Sequence, residues 1–182
     1  MGDPQIDVAT LLELRTWTAF DVDEAGRVLA GHDETGSRQL VEIDPGGTRR
    51  PLTALPGACS GRYLPGQRTV VVEHDTDGDE RAQLSLLHPD DIEAPVGLAG
   101  LEPLVRDPAH VNPLVDVGPG WVAYATNRRD GVDFDVVVRD LRAKGVPCEL
   151  LVYADEGHGL AKRSNRLDAY VRAVAFLGRH LA

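Results

Sequence analysis

The feature that most constrains this chain is a hairpin written three times. VLAGHDETGSRQLVEID (28–44), VVVEHDTDGDERAQLSLLHP (70–89) and VAYATNRRDGVDFDVVVRD (122–140) share one pattern. Each is an apolar strand, a polar turn holding one glycine, and a second strand in which apolar residues alternate. The turn glycines are Gly36, Gly78 and Gly131. In the third copy, the alternation Val132, Phe134, Val136, Val138 is expected to turn one strand face inward. Hairpins recurring about every 40–50 residues are the signature of β-propeller blades. Periodicity alone also admits a β-sandwich.

The last forty or so residues follow a different rule. Cys148–Tyr153 (CELLVY) reads as a short apolar strand, ADEGHG as a turn, and residues 164–181 as a helix. Leu167, Tyr170, Val171, Val174, Leu177 and Leu181 recur at three- and four-residue steps, the stripe of an amphipathic helix. Ser164 or Asn165 suits its N-cap. The expected fold is mainly β with a C-terminal α/β piece. A partial β-propeller-like region of about three blades spans 1–140, and a strand–loop–helix unit spans 141–182.

The junction of the two carries a local conflict. Leu141 to Gly145 (LRAKG) reads as the last turn of a helix, with Gly145 as a left-handed stop and Lys144 near the C-terminal dipole. One turn cannot repay helix nucleation, yet 132–138 is patterned as a strand. A helix end without a helix beginning points to a segment lost between about Arg139 and Arg142.

Charge divides the chain at the same place. Residues 141–182 hold seven Lys/Arg against four Asp/Glu, whereas the first 140 hold 12 against 25. The net charge of −10 argues against nucleic acid and anionic membrane as partners. No run approaches the ~18 apolar residues of a membrane span, and the first residues lack the pattern of a secretory signal, so a soluble, cytoplasmic protein is expected. Met1-Gly2 does not open a myristoylation signal, because Ile6 stands where Ser or Thr is needed. Cys59 and Cys148 are distant from each other, which suits free thiols rather than a disulfide framework or a zinc site.

The C-terminal run LRAKGVPCELLVYADEGHGLAKRSNRLDAYVRAVAFLGRHL resembles the closing segment of the prolyl oligopeptidase family of serine peptidases. In that family a propeller precedes an α/β-hydrolase catalytic domain. SGRYLPGQRTVVVEHDTDGDERAQLSLL and AYATNRRDGVDFDVVVRDL likewise resemble propeller blades of bacterial members. The resemblance implies that His158, in the loop DEGHG, is the catalytic histidine, and that 141–182 is a remnant of the hydrolase domain. For a complete member it also implies hydrolysis of peptides or small acyl substrates without a cofactor, the propeller filtering substrate by size.

The departures from that family are specific. The nucleophile belongs in a G-x-S-x-G elbow. The four serines are Ser37, Ser60, Ser85 and Ser164, and none has that context; Ser60, in GACSGR, comes nearest. The orienting acid and the oxyanion donors belong to a portion that is missing from this sequence. A lone histidine is no general base without a nucleophile to touch, so this chain is expected to turn nothing over. Two non-enzymatic readings stand beside it, a propeller-like module that binds a peptide or protein, and a deletion product without function.

Other candidates have plainer explanations. Asp155 and Glu156 read as a solvated loop beside His158. Asp75, Asp77 and Asp79 resemble a calcium loop, but Gly78 is misplaced and no closing glutamate follows, so a polar turn is expected. His32-Asp33 and His74-Asp75 occupy equivalent repeat positions, which suits a role in the hairpin rather than at a metal. Trp17, Trp121 and Tyr124 are read as packing between blades. No cofactor signature is present. Unclosed blades leave strand edges that invite self-association and make marginal stability the expectation.

Overall fold

The structure, a computed structural model, describes residues 16–141 and 162–180. Among these residues three antiparallel sheets, one α-helix and two short 3-10 helices, Pro89–Asp91 and Leu98–Gly100, make up the regular structure. Sheet I runs β1 (Trp17–Val22), β2 (Val28–His32), β3 (Gln39–Ile43) and β4 (Arg49–Pro51) in spatial order. Sheet II repeats that order with β5 (Cys59–Tyr63), β6 (Val70–His74), β7 (Gln83–Leu87) and β8 (Glu102–Val105). Sheet III holds β9 (Leu114–Gly118), β10 (Trp121–Thr126) and β11 (Asp135–Asp140), with β10 central. The helix, α1, is Arg163–His180. No helix among the described residues is long and apolar enough to cross a membrane.

The three sequence hairpins are β2–β3, β6–β7 and β10–β11. Gly36, Gly78 and Gly131 take φ of 98°, 79° and 80° in their turns, a region that L side chains rarely adopt. The registers are equivalent. His32 faces Gln39, His74 faces Gln83 and Thr126 faces Asp135, and in each hairpin pairing runs on residue by residue from there. Leu40, Leu84 and Val136 therefore hold the same place in three sheets.

Alternation then sorts each strand into two faces. Leu29 and Leu40 point from sheet I toward Cys59, Tyr63, Val70 and Val72 of sheet II, forming one core cluster. Val71 and Leu84 point from the other face of sheet II toward Val122 and Leu114 of sheet III, forming a second. Leu29, Leu40, Val70, Val71, Val72, Leu84 and Val122 lose all solvent exposure. Each such side chain contributes roughly 1.5–3 kcal/mol by the transfer scale, which makes these two interfaces the core of the β region.

Two expectations need correction. Val132, Phe134, Val136 and Val138 do not point inward; they are among the exposed large apolar residues. Alternation predicted correctly that the two faces of β11 differ, but among the described residues no further sheet covers the face carrying Val136 and Val138. Leu141 is also not the end of a helix in its contacts. Its N–H donates to the Gly120 carbonyl at 2.7 Å and its side chain packs on the second core cluster. The strand expected at 148–153, Cys148, Gly145, the DEGHG loop with Asp155, Glu156 and His158, and residues 142–145 of the expected helix end lie outside the described residues.

Candidate functional site

A recess with chemistry around it is a cleft of about 620 Å³. It opens where the β1–β2 and β5–β6 turns of sheets I and II meet β9 of sheet III, and is lined by Asp21, Asp23, Arg27, Arg62, Tyr63 and Arg68 among others. A shift of register between Ala19 and Asp21 bulges β1, as bulges do where a side chain is re-aimed. The Asp21 carboxylate thereby accepts the Tyr63 N–H at 2.9 Å.

Glu42 does not line the cleft itself but bonds two side chains that do, Tyr63 and Arg68. It sits on β3 and is buried, a position that is costly for a carboxylate unless its oxygens are bonded. It accepts the Tyr63 hydroxyl at 2.9 Å and the Arg68 Nε at 3.3 Å, Arg68 making a second contact to its other oxygen. Arg27 approaches Glu42 at 3.9 Å and pairs with Asp23 at 2.6 Å. Burial, and then Glu42 as acceptor, pushes the Tyr63 phenol far above its ordinary range. Burial alone would raise the Asp23 carboxyl, but bonds from the Arg27 backbone and guanidinium outweigh it and hold the pKa below normal. Arg62 of β5 pairs with Asp116 of β9 at 3.1 Å across the mouth.

Asp23, Glu42 and Asp116 are each engaged by an arginine and the Asp21 carboxylate by the Tyr63 N–H, so the cleft has no carboxylate–base couple set up for proton transfer and no serine in its lining. Its chemistry is that of a polar recess. The sequence reading missed it. The one signal available was Glu42 inside the apolar run QLVEI, a charge where the strand needed a buried residue.

The sequence-singled residues sit elsewhere. Ser60 lies inside β5, paired with Glu73 and followed by more strand, so it is on no strand-to-helix elbow. The Ser85 hydroxyl is 3.0 Å from His74 Nε2, the distance of a serine–histidine couple. Both residues are buried, Ser85 does not line the small recess of about 200 Å³ that His74 borders, and no acid meets His74 Nδ1. That pair holds β6 to β7 rather than attacking a substrate. Cys59 is buried, which pushes its thiol up and away from nucleophilic reactivity.

Asp75 and Asp79 serve the turn, as expected. Asp75 accepts the Gly78 N–H, and Asp79 accepts those of Arg81 and Thr76, bonds that hold the Asp79 carboxyl below its usual pKa. Among the described residues no group of three His, Cys, Asp or Glu is disposed to hold a metal. Tyr124 packs on the second core cluster. Trp121 lies over Gly118, where an added Cβ would meet its ring at 2.1 Å. Trp17 departs from the reading: it stacks on His32 at 4.1 Å on the outer side of sheet I, partly exposed, instead of between sheets.

Comparison with protein families gives one match, the prolyl oligopeptidase family, over residues 136–182. That is about a quarter of the chain. It contains His158 and all of α1, and it begins within β11. Comparison with the curated proteins gives no match.

Proposed function

We propose that this chain is a partial copy of a serine peptidase of the prolyl oligopeptidase family, with three propeller blades joined to the histidine-bearing end of the catalytic domain. The observation that carries this reading is the family match over residues 136–182, which includes the DEGHG motif with His158. The equivalent registers of sheets I, II and III support reading them as successive blades. In the complete enzyme His158 would pass the proton between a nucleophilic serine and the leaving group, acting on a peptide or small acyl substrate in the cytoplasm. In this chain no serine stands in a nucleophile elbow, so it hydrolyses nothing.

The test is labelling of the purified chain with a fluorophosphonate probe, alongside hydrolysis of a peptidyl anilide and an aryl ester. No labelling and no turnover is the expected result. Labelling of any serine that is lost on His158→Ala would overturn the reading of an inactive copy. Intact mass of the native gene product addresses the other half: 19.7 kDa fits the short chain, and a mass several times larger places the catalytic middle in the natural protein.

A second reading, a non-catalytic module that binds a peptide, is favoured by the cleft of about 620 Å³ beside Tyr63 and Arg62. Retained peptide binding without turnover, weakened by Arg62→Ala, would support it.

A further inference from the structure

Aspartate is followed by glycine at Asp77-Gly78 and at Asp130-Gly131 in this sequence, and asparagine nowhere is. Both pairs stand at the turn glycine of a hairpin, β6–β7 and β10–β11. An aspartate before glycine can react with its own backbone. The next residue has no side chain to hinder the approach of its amide nitrogen to the carboxyl carbon. Whether the two meet depends on what else holds them.

The two turns differ in that respect. Asp130 Oδ1 accepts the N–H groups of Val132 at 2.9 Å and of Asp133 at 2.8 Å. Those bonds hold its carboxyl below the usual pKa, in the ionised form that resists a nucleophile. The Gly131 N–H is occupied as well, donating to the Asn127 carbonyl at 2.7 Å, and Asn127 Nδ2 donates to the Gly131 carbonyl at 3.0 Å. Asp77 is held far less. No described residue bonds or pairs with its carboxylate. The Gly78 N–H reaches the Asp75 carboxylate at 3.3 Å, a weak bond. Asp77 and Glu80 take φ of 56° and 58°, so this turn also holds two side-chain-bearing residues in the disfavoured left-handed region.

We propose that Asp77 is a self-modification site, converting through a succinimide to isoaspartate, while Asp130 is protected by its turn. The Gly78 nitrogen attacks Cγ of the protonated Asp77 carboxyl and forms an N–Cγ bond. Water leaves, made of the carboxyl hydroxyl and the amide proton. A second water then opens the ring. Opening at Cγ restores aspartate; opening at the α-carbonyl leaves the chain running through Cβ and Cγ, with a free α-carboxylate. Mass is unchanged, and the main chain gains a methylene. The turn is closed by bonds of short reach, from the Asp79 N–H to the Thr76 carbonyl at 3.2 Å and from the Arg81 N–H to Asp79 Oδ1 at 3.0 Å, so the added carbon loosens the β6–β7 hairpin. The reaction uses neither His158 nor a nucleophilic serine and stands apart from the peptidase reading.

Ageing of the purified full chain at neutral pH tests it. A digest cut outside both turns separates the peptide holding Asp77 from the one holding Asp130. Isoaspartate is read as a product of unchanged mass and altered retention, located by electron-transfer fragmentation. It is expected to accumulate at Asp77 several-fold faster than at Asp130. In guanidinium chloride, where the bonds of the Asp130 turn are gone, the two rates should converge. Asp77→Glu, which would have to close a larger ring, should abolish the product in its own peptide and leave the Asp130 peptide unchanged. Absence of isoaspartate at Asp77 in the native chain overturns the proposal, as do equal native rates at the two sites. A rate difference that persists in guanidinium chloride overturns it too, assigning the effect to sequence rather than to the turns. Product that survives Asp77→Glu would move the reaction to Asp75 or Asp79, with the same consequence.

Discussion

The Tyr63 hydroxyl donates to the Glu42 carboxylate across 2.9 Å, joining the last residue of β5 to the middle of sheet I at a buried point. Two guanidiniums, Arg68 and Arg27, approach the same carboxylate from the cleft side. The β region is thus pinned by a polar knot as well as by its two apolar clusters. Tyr63→Phe removes one donor and leaves Glu42 with Arg68, and should cost about 1–2 kcal/mol. Glu42→Ala leaves the buried phenol without its acceptor and takes one carboxylate from Arg68, which keeps Asp90, and from Arg27, which keeps Asp23; it should cost more than Tyr63→Phe. Urea unfolding measures both, and equal losses would mean the arginines contribute nothing.

A second device repeats with the sheets. Gln39 accepts the Leu55 N–H at 2.7 Å and donates to the Leu55 and Gly57 carbonyls. Gln83, in the equivalent place, accepts the Asp107 N–H at 2.6 Å and donates to the carbonyls of Asp107 and His110. Each glutamine clasps the connection leading to the next sheet and satisfies backbone that has no strand partner. Alanine at either position should destabilise by about 1–3 kcal/mol. Glutamate should be worse than alanine, since it offers an acceptor to carbonyls. The third hairpin has Asp135 there, held by Arg129 at 3.2 Å, so Asp135→Ala should cost less than either glutamine change. Thermal melts of the three alanine variants give the order, and an Asp135→Ala loss as large as the others would refute the equivalence.

Sheets I and II approach closely at Gly61. A Cβ there would lie 2.9 Å from Val70 Cγ1, 3.0 Å from the Val71 carbonyl and 3.3 Å from Leu40 Cδ1. Gly61→Ala should therefore destabilise despite raising strand propensity, and Gly61→Val should do so by about 1–3 kcal/mol. Unfolding midpoints unchanged by Gly61→Val would show that the two sheets can part there freely.

The hairpins were legible because period-two alternation and a turn glycine are local signals, and α1 was legible because its stripe is. What alternation cannot supply is which face another element covers. It separates Val136 and Val138 from Val137 and is silent about direction, hence the inverted expectation for β11. Strand β4 went unread because it has three residues, RRP, with no pattern to find. Glu42, Tyr63 and Arg68 are spread over two strands and a turn and meet only through the stacking of sheets I and II, so no spacing rule reports them. His158 is the reverse case: a motif carries its reading, and no contact among the described residues adds to it.

The buried His74 links stability to pH. Its Nε2 bonds Ser85, no acid meets its Nδ1, and burial depresses its pKa below the usual 6.5, with the Arg106 charge adding to that against an opposing bond at Asp75. The folded state thus favours the neutral ring, and the unfolded chain binds the proton more readily. By linkage, this contribution is fully present above about pH 6.5 and is lost as pH falls through the depressed folded value. The slope from one proton cannot exceed about 1.4 kcal/mol per pH unit. His74→Gln keeps a polar group near Ser85 and cannot titrate, so its stability should be flatter between pH 7 and pH 5 than that of the wild type. Both proteins should still lose stability at lower pH, where carboxylates such as Asp23, held below their normal pKa, become protonated. Urea denaturation of the two proteins at a series of pH values reads the difference directly, and parallel curves from pH 7 to pH 5 would remove His74 as the cause.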